Sequence, residues 1–120
     1  IAHENNINIH MDGARLFNAC AALDTTADVI LSNVDSVTFC LSKSLSAPIG
    51  SVICGTHDFI TEARRIRKSL GGGMRQTGII SAAGIISLTT MINRLKDDHE
   101  NAKKLAHGIS NLNGIELKKS

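Results

Sequence analysis

The chain has 120 residues, which is the size of one ordinary domain with a hydrophobic core. Hydrophobic residues make up 42% and charged residues 20%, and this composition excludes a disordered or fibrous protein. The formal net charge of +2 is too small to indicate nucleic acid or an anionic membrane as a partner, and no apolar run approaches the length of a membrane span. Because Ile1 opens the chain and a strand signal follows almost at once, we expect a piece of a longer protein.

The predicted elements alternate between strands and helices, which is typical of an α/β fold. The long final helix is favoured over two shorter ones because Leu88, Leu95 and Ala102 recur every seven positions without an intervening proline. In chain order, we predict a short strand over Ile7–Met11, a helix from Ala14 to Ala21, a short element at Ala27–Leu31, strands at Ser36–Leu41 and Ser51–Cys54, helices at His57–Leu70 and Thr77–Leu112, and the start of a strand at Ile115–Leu117.

Three kinds of site find little support in the sequence. Cys20, Cys40 and Cys54 are odd in number and lie in apolar contexts, so we expect buried, reduced thiols in a reducing compartment, the cytoplasm, and no disulfide framework. The five histidines lack metal-ligand spacing, so we expect no metal site. Gly50 and Gly55 bracket four residues as in a phosphate loop, but Thr56 stands where that motif requires lysine.

Two ionisable residues follow predicted strands, and the carboxyl ends of strands are where ligands bind in open α/β sheets. Lys43 comes just after the Ser36–Leu41 strand, where its amine could form a Schiff base with a carbonyl compound; alternatively, it is a solvated lysine in a serine-rich loop. Asp12 ends the first predicted strand, and its alternative role is an ordinary helix N-cap. A carboxylate and a lysine at neighbouring strand ends are what pyridoxal phosphate enzymes need.

A basic segment surrounds three consecutive glycines. Gly71, Gly72 and Gly73 can turn backbone N–H groups toward an anion, with Arg75 close by to pair with it. Lys68 lies on the charged face of the preceding helix. The ordinary interpretation is a flexible connector beside a solvated helix face.

Three segments of the chain resemble the low-specificity L-threonine aldolases, a family of β-eliminating lyases with the aspartate-aminotransferase fold. They are HMDGARLFNA at residues 10–19, VTFCLSKSLSAPIG at residues 37–50 and RKSLGGGMRQ at residues 67–76. The resemblance implies part of the large pyridoxal phosphate-binding domain, with a mostly parallel sheet, flanking helices and a long C-terminal helix. It assigns residues 1–95 to that domain, and residues 96–120 to the end of the linking helix and the start of a small domain.

The resemblance also implies a role for each candidate site residue. Lys43 would be the catalytic lysine that binds pyridoxal 5′-phosphate, and Asp12 would face its pyridine nitrogen. Ala14 would pack under the ring, and Arg15 would approach the cofactor's 3′-oxygen or the substrate carboxylate. Lys68 and Arg75 would form a basic pair near the cofactor phosphate, in the same site or in that of a neighbouring subunit.

The activity implied is cleavage of L-threonine or L-allo-threonine to glycine and acetaldehyde by a homotetramer or homodimer. The alternatives are another pyridoxal phosphate β-eliminating amino-acid lyase, or a non-catalytic piece that only pairs with a partner subunit. Ser44 and Ser46 stand where the family usually has glycine. The family's N-terminal phosphate loop, its ring-stacking histidine and its C-terminal carboxylate-binding arginine lie outside this chain, so we expect the chain alone to be inactive.

Overall fold

The computed structural model describes residues 1–118 as three strands and five α-helices. Short 3₁₀ turns occur at His3–Asn5 and Ile92–Arg94, and a π turn occurs at Ser87–Met91. The elements are β1 (His10–Asp12), α1 (Leu16–Leu23), α2 (Ala27–Ile30), β2 (Ser36–Cys40), β3 (Ser51–Cys54), α3 (His57–Ser69), α4 (Gly78–Ile86) and α5 (Leu95–Ser110). The predicted alternation of strands and helices, and with it the α/β class, is confirmed.

The three strands form one sheet in the order β1-β2-β3. β1 and β2 are parallel, with His10 opposite Ser36 and Asp12 opposite Thr38. β2 and β3 are antiparallel, with Cys40 opposite Ser51. Within residues 1–118 the sheet thus has one parallel and one antiparallel pairing, whereas the mostly parallel sheet is expected for the larger domain. The antiparallel pairing follows from the short connection between β2 and β3, because a parallel return requires a crossover of about a dozen residues or more.

The hydrophobic core surrounds β2 and the loop that follows it. Val37 and Phe39 alternate along β2 and point into this core, and the Phe17 ring meets the Phe39 ring edge to face at 5.2 Å between centroids. Leu95, the first residue of α5, is only 1% exposed, so the long helix is anchored here. The buried hydrophobic residues are Leu16, Cys20, Val37, Phe39, Leu41, Leu45, Ala47 and Leu95.

Helix α3 forms as the sequence predicts but lies largely uncovered. Thr56 caps its start by accepting a hydrogen bond from the Phe59 N–H at 3.3 Å. None of its residues is buried; Phe59 is 39% exposed, and Leu70, just past its end, is 82% exposed. Between α3 and β3 lies an open, largely apolar groove of about 650 Å³. Within residues 1–118 the apolar face of this helix is only partly covered, since Phe59 is 39% and Ile66 44% exposed.

The predicted long helix is confirmed as a continuous helical segment, Gly78–Ser110. Its middle is not regular α-helix, since a π turn and a 3₁₀ turn join α4 to α5. The Ser87 hydroxyl donates to the Ala83 carbonyl at 3.0 Å, and the Thr89 hydroxyl donates to the Ile85 carbonyl at 2.8 Å. Such side chains compete with backbone N–H groups for the carbonyls four residues back, which distorts a helix.

The same helical segment corrects our expectation about apolar length. It contains an 18-residue window with mean hydropathy 1.3, so by length and composition alone it could cross a membrane. Its serines and threonines interrupt the apolar residues in the sequence, but they leave the average hydropathy of the window high. Core helices of proteins without a membrane meet the same two criteria, and 17% of the window is buried within this structure. The helix therefore has a wide uncovered apolar face.

Other expectations for individual segments are also corrected. The first strand is shorter than predicted because the Ile9 N–H bonds the Asp35 carboxylate at 2.7 Å. Asp12 lies in β1 and is not an N-cap, since Arg15 precedes α1. Ile115–Leu117 is not a strand, and the Ile115 N–H bonds the Leu112 carbonyl in a turn.

The cysteines differ in burial although all three were expected to be buried. Cys20 is buried, and this burial raises the pKa of its thiol. Cys40 is half-buried, whereas Cys54 on β3 is exposed, because that end of the strand is uncovered within the described residues. The domain boundary after residue 95 stays a prediction. The last two residues of the predicted second segment, 119 and 120, lie outside the described range.

Candidate active site

The parallel pairing of β1 and β2 brings Asp12 and the loop that carries Lys43 to the same end of the sheet. Asp12 is the last residue of β1 and lies opposite Thr38. The pairing continues past β1, since the Gly13 N–H donates to the Thr38 carbonyl at 2.7 Å and the Cys40 N–H donates to the Ala14 carbonyl at 3.3 Å. This end of two parallel strands is where ligands bind in open α/β sheets.

Gly13 allows the two strands to approach this closely. A Cβ atom at Gly13 would lie 3.1 Å from both the Thr38 carbonyl oxygen and Val37 Cγ2. The Thr38 carbonyl is backbone and accepts the Gly13 N–H, so a side chain at position 13 would push apart two strands that this bond holds together. The glycine that follows Asp12 therefore serves to keep the carboxylate at the sheet edge.

Asp12 borders an open cavity of about 460 Å³ on the polar face of the sheet. His10, also on this face, has ring nitrogens 2.8 Å from Ser36 Oγ and 3.3 Å from Thr38 Oγ1. Asp12 is exposed, and within residues 1–118 no hydrogen bond or ion pair engages its side chain. The cavity thus offers a ligand one free carboxylate beside polar side chains that already pair with each other. Its lining residues are His10, Asp12, Thr38, Phe39, Cys40 and Ser51.

The loop of Lys43 is held firmly although Lys43 itself is exposed. Leu45 and Ala47 are buried in the core, and the Ala47 N–H donates to the Leu41 carbonyl at 3.0 Å. The Ser46 N–H donates to the Lys43 carbonyl at 2.9 Å, and Ser46 has φ 62°, a left-handed conformation that favours glycine. Glycine is the residue expected at this position from the family pattern. Ser46 therefore has the backbone conformation that a glycine at this position would adopt without strain.

Ala14 and Arg15 lie next to the Lys43 loop. Both residues line a narrow cleft that is bordered on the other side by Ser44 and Leu45. Ala14 is half-buried, and Arg15 is exposed at the residue before α1. The structure thus brings Asp12, Ala14, Arg15 and the Lys43 loop to one region, which we call the strand-end site.

Lys68 and Arg75 belong to a second region, which we call the glycine-loop site (Lys68 and residues 71–75). Here the chain folds back on the end of α3, since the Gly71 N–H donates to the Lys68 carbonyl at 3.2 Å. A Cβ at Gly73 would lie 2.8 Å from Lys68 Cδ, so the lysine side chain runs along the loop. Among the hydrogen bonds and ion pairs of residues 1–118, none joins this site to the strand-end site. The phosphate role of Lys68 and Arg75 therefore stays a prediction.

Sequence reasoning missed the polar contacts that support the strand-end site. Asn18 contacts both Ser44 and His99, although Asn18 and His99 are separated by 81 positions in the sequence. No local motif signals such a contact, because it depends on α1 packing against α5. As for metals, the described part of the chain contains no group of three or more His, Cys, Asp or Glu side chains that could hold an ion.

The chemistry of the strand-end side chains fits pyridoxal phosphate. Asp12 supplies a carboxylate that can hold a proton on a ring nitrogen, and Lys43 supplies an exposed primary amine that can bond to an aldehyde carbon. Ala14 adds little bulk beside them. The cavity at Asp12, about 460 Å³, lies within the volume range of small-molecule sites.

The chain has close relatives among curated proteins. It is 46% identical over 117 residues to low-specificity L-threonine aldolase 1 of Arabidopsis thaliana, a match that covers 98% of this chain and 33% of the relative. It is 48% identical over 106 residues to the low specificity L-threonine aldolase of Escherichia coli strain K12, covering 88% of the chain and 32% of the relative. The chain therefore spans about a third of the length of these relatives.

Solved structures share the fold, and a family model matches the full sequence. A Listeria monocytogenes protein assigned as an L-allo-threonine aldolase superposes with a TM-score of 0.85 at 26% identity, covering 94% of this chain and 32% of that one. This likeness confirms a fold of the aspartate-aminotransferase type. Because the model of the beta-eliminating lyases matches residues 1–120, the chain belongs to the beta-eliminating lyase family.

Proposed function

We propose that the chain is part of a longer protein, here called the complete protein, which uses pyridoxal 5′-phosphate to cleave L-threonine or L-allo-threonine to glycine and acetaldehyde. The observation that carries this proposal is the position of Asp12 and the Lys43 loop at one end of two parallel strands. Identities of 46% and 48% to low-specificity L-threonine aldolases support the same substrate class.

When bound, the cofactor supplies an electron sink for the electron pair released as the Cα–Cβ bond breaks. The Asp12 carboxylate holds a proton on the pyridine nitrogen and so keeps that sink positive. The Lys43 amine would hold the cofactor at its aldehyde carbon. The buried neighbours Leu45 and Ala47 fix the backbone of the loop, which limits the positions that the lysine amine can reach.

The remaining candidate residues bind and orient. Ala14 leaves room beside the ring, and Arg15 binds either the substrate carboxylate or the 3′-oxygen of the cofactor, since both are anionic acceptors for a guanidinium. Lys68 and Arg75 bind the cofactor phosphate, in the same subunit or in a neighbouring one. We further propose that the complete protein is a cytoplasmic homodimer or homotetramer. In such an oligomer, a neighbouring subunit would cover the exposed faces of α3 and of the long helical segment.

Borohydride reduction of the complete protein with bound cofactor tests the proposal directly. Reduction converts the lysine–cofactor bond into a stable secondary amine, and peptide mapping then identifies the labelled lysine. We expect the label on Lys43, together with glycine and acetaldehyde as products from L-threonine. A label on another lysine would overturn the assignment of Lys43.

A second activity, β-elimination from an amino acid, is favoured by one neighbour. An Exiguobacterium protein assigned as an aromatic amino acid beta-eliminating lyase/threonine aldolase superposes with a TM-score of 0.86 at 27% identity, covering 94% of this chain and 32% of that one. The products separate the two reactions, because retro-aldol cleavage gives glycine and an aldehyde, whereas β-elimination gives ammonia and a 2-oxo acid. Ammonia and 2-oxobutyrate from threonine, without glycine, would favour the lyase.

A further inference from the structure

A chain of hydrogen bonds connects the Lys43 loop to the long C-terminal helix through Asn18. The Ser44 hydroxyl donates to Asn18 Oδ1 at 2.5 Å, and Asn18 Nδ2 donates to His99 Nε2 at 3.1 Å. We infer that Asn18 is a positioning residue that holds the Lys43 loop to α5. The inference rests on the proposed function, because the role of Lys43 is what gives the position of this loop a chemical consequence.

The hydrogen-bonding capacity of the three side chains makes this arrangement specific. An amide has one acceptor end and one donor end, and Asn18 uses its oxygen for Ser44 and its nitrogen for His99. In this contact His99 Nε2 is the acceptor, because an amide nitrogen can only donate. The connection is broken by a side chain at position 18 that lacks either function, or by one at position 99 that cannot accept a hydrogen bond.

Both ends of this chain of hydrogen bonds are fixed to the hydrophobic core. His99 lies one helical turn after Leu95, which is fully buried, so the histidine belongs to the part of α5 that is anchored in the core. At the other end, Ser44 stands between Lys43 and the buried Leu45. A displacement of α5 would therefore move Ser44, the residue next to Lys43, through the two hydrogen bonds of Asn18.

The environment of the contact strengthens it. Ser44, Asn18 and His99 are all half-buried, and Asn18 and Ser44 line the narrow cleft beside the Lys43 loop. Water competes less for hydrogen bonds in such surroundings, and a buried group that loses its partner is costly.

A second contact between α1 and α5 provides a matched control. Lys96 Nζ lies 3.0 Å from Asp24 Oδ1, and both side chains are exposed. Exposed ion pairs of this kind contribute little to stability. This pair joins the same two helices as Asn18 and His99 but does not touch the Lys43 loop, so its removal separates loop positioning from general helix contact.

Hydrogen exchange in the cofactor-free complete protein tests the inference without relying on catalysis. The reporters are the amides of Ser46 and Ala47, which bond the Lys43 and Leu41 carbonyls. We expect these amides to exchange about five- to tenfold faster in His99→Leu and in Asn18→Leu, because a change of this size corresponds to the loss of one hydrogen bond. His99→Gln, whose amide oxygen can accept from Asn18, is expected to restore the wild-type rate, and Lys96→Met is expected to leave it unchanged.

The Phe39 amide in the central strand reports global opening and is expected to keep its rate in every variant. Unchanged exchange at Ser46 and Ala47 in a folded His99→Leu protein would overturn the inference. Equal acceleration at Phe39 would also overturn it, because the contact would then only stabilise the fold. If Asn18→Leu does not fold, Ser44→Ala removes the same bond and gives the same readout. Failure of the proposed function appears separately, as borohydride labelling of a lysine other than Lys43.

Discussion

The strand-end site and the glycine-loop site differ in how much of their support this chain provides. The strand-end site lies over the core, where Leu45, Ala47 and Leu95 are buried around β2. The glycine-loop site follows a helix in which no residue is buried, beside an open groove of about 650 Å³. Both sites carry the basic residues that the family resemblance assigns to the cofactor. Only the strand-end site is supported by buried side chains within residues 1–118.

The difference shows that an amphipathic pattern predicts a helix and not what covers it. Phe59, Ala63 and Ile66 have the spacing of a helix face that packs on a core, and the helix forms as predicted. The same face remains partly open within residues 1–118. We therefore expect the glycine-loop site to depend more on contacts from outside residues 1–118 than the strand-end site does.

Truncation of Leu95 is the largest expected effect and tests how strongly the core holds the strand-end site. Leu95→Ala is expected to lower the free energy of unfolding of the complete protein by about 2 to 5 kcal/mol, through lost burial and an unfilled cavity. Urea unfolding measures the change. The comparison variant is Leu105→Ala on the same helix, where the side chain is 67% exposed within this chain.

Because Leu105 lies on an uncovered helix face, Leu105→Ala is expected to change the free energy of unfolding by no more than about 0.5 kcal/mol if no other segment contacts this side chain. An equal loss for the two variants would show that a segment outside this chain covers Leu105 as tightly as the core covers Leu95. The packing contrast between the two regions would then be a property of this chain alone and not of the complete protein.

Asp12→Asn is the next largest expected effect and separates catalysis from cofactor binding. The variant should slow threonine cleavage by about a hundredfold or more, because a single well-placed electrostatic contact to a developing charge commonly contributes this much. Cofactor retained after gel filtration is expected to change far less, since the contacts to the phosphate remain. Asp58→Asn, an exposed position in the first turn of α3, is the control. Turnover near that of the wild type in Asp12→Asn would mean that another group holds the pyridine nitrogen.

Arg75→Ala is expected to show the opposite division. Loss of a charge-assisted contact to phosphate should weaken cofactor binding by about tenfold or more. Lys68→Ala is expected to weaken binding less. Arg65→Ala is the matched control on α3, because its guanidinium already pairs with Glu62. Cofactor titration of the complete protein gives the affinities. Normal affinity in both Arg75→Ala and Lys68→Ala would make the glycine-loop site a solvated surface.

Features that depend on a local residue pattern were predicted from the sequence, whereas features that depend on distant segments were missed. Strand β2, helix α3 and the long helical segment were predicted because each depends on its own residue pattern. The antiparallel return of β3 was missed because strand direction is set by the connection and by neighbouring strands. The Asn18–His99 contact was missed because it joins residues 81 positions apart. The positions of Asp12 and Lys43 at strand ends were predicted, since they need only the ends of two neighbouring strands.

Ser46→Gly tests whether the Lys43 loop stores backbone strain. Ser46 has φ 62°, and a side chain in this conformation costs about 1 kcal/mol or more, part of which is offset by the greater chain entropy of glycine. We expect the substitution to raise the free energy of unfolding by about 0.5 to 1 kcal/mol. Ser42→Gly in the same loop is the control and is expected to be destabilising, because Ser42 does not have a positive φ. Equal losses for the two variants would exclude strain at Ser46.

The smallest expected effect is the pH dependence that Asp35 adds at the far end of the sheet from the strand-end site. The hydrogen bond from the Ile9 N–H, and then the one from His3, lower the pKa of Asp35 from its usual value of 3.8. A lowered pKa in the folded state means that the contribution to stability is present above pH 3.8 and is lost as the pH falls through the folded-state pKa. Asp35→Asn should therefore flatten the acid limb of the stability curve. An acid limb of wild-type slope in Asp35→Asn would show that the start of the β1–β2 pair does not depend on this carboxylate.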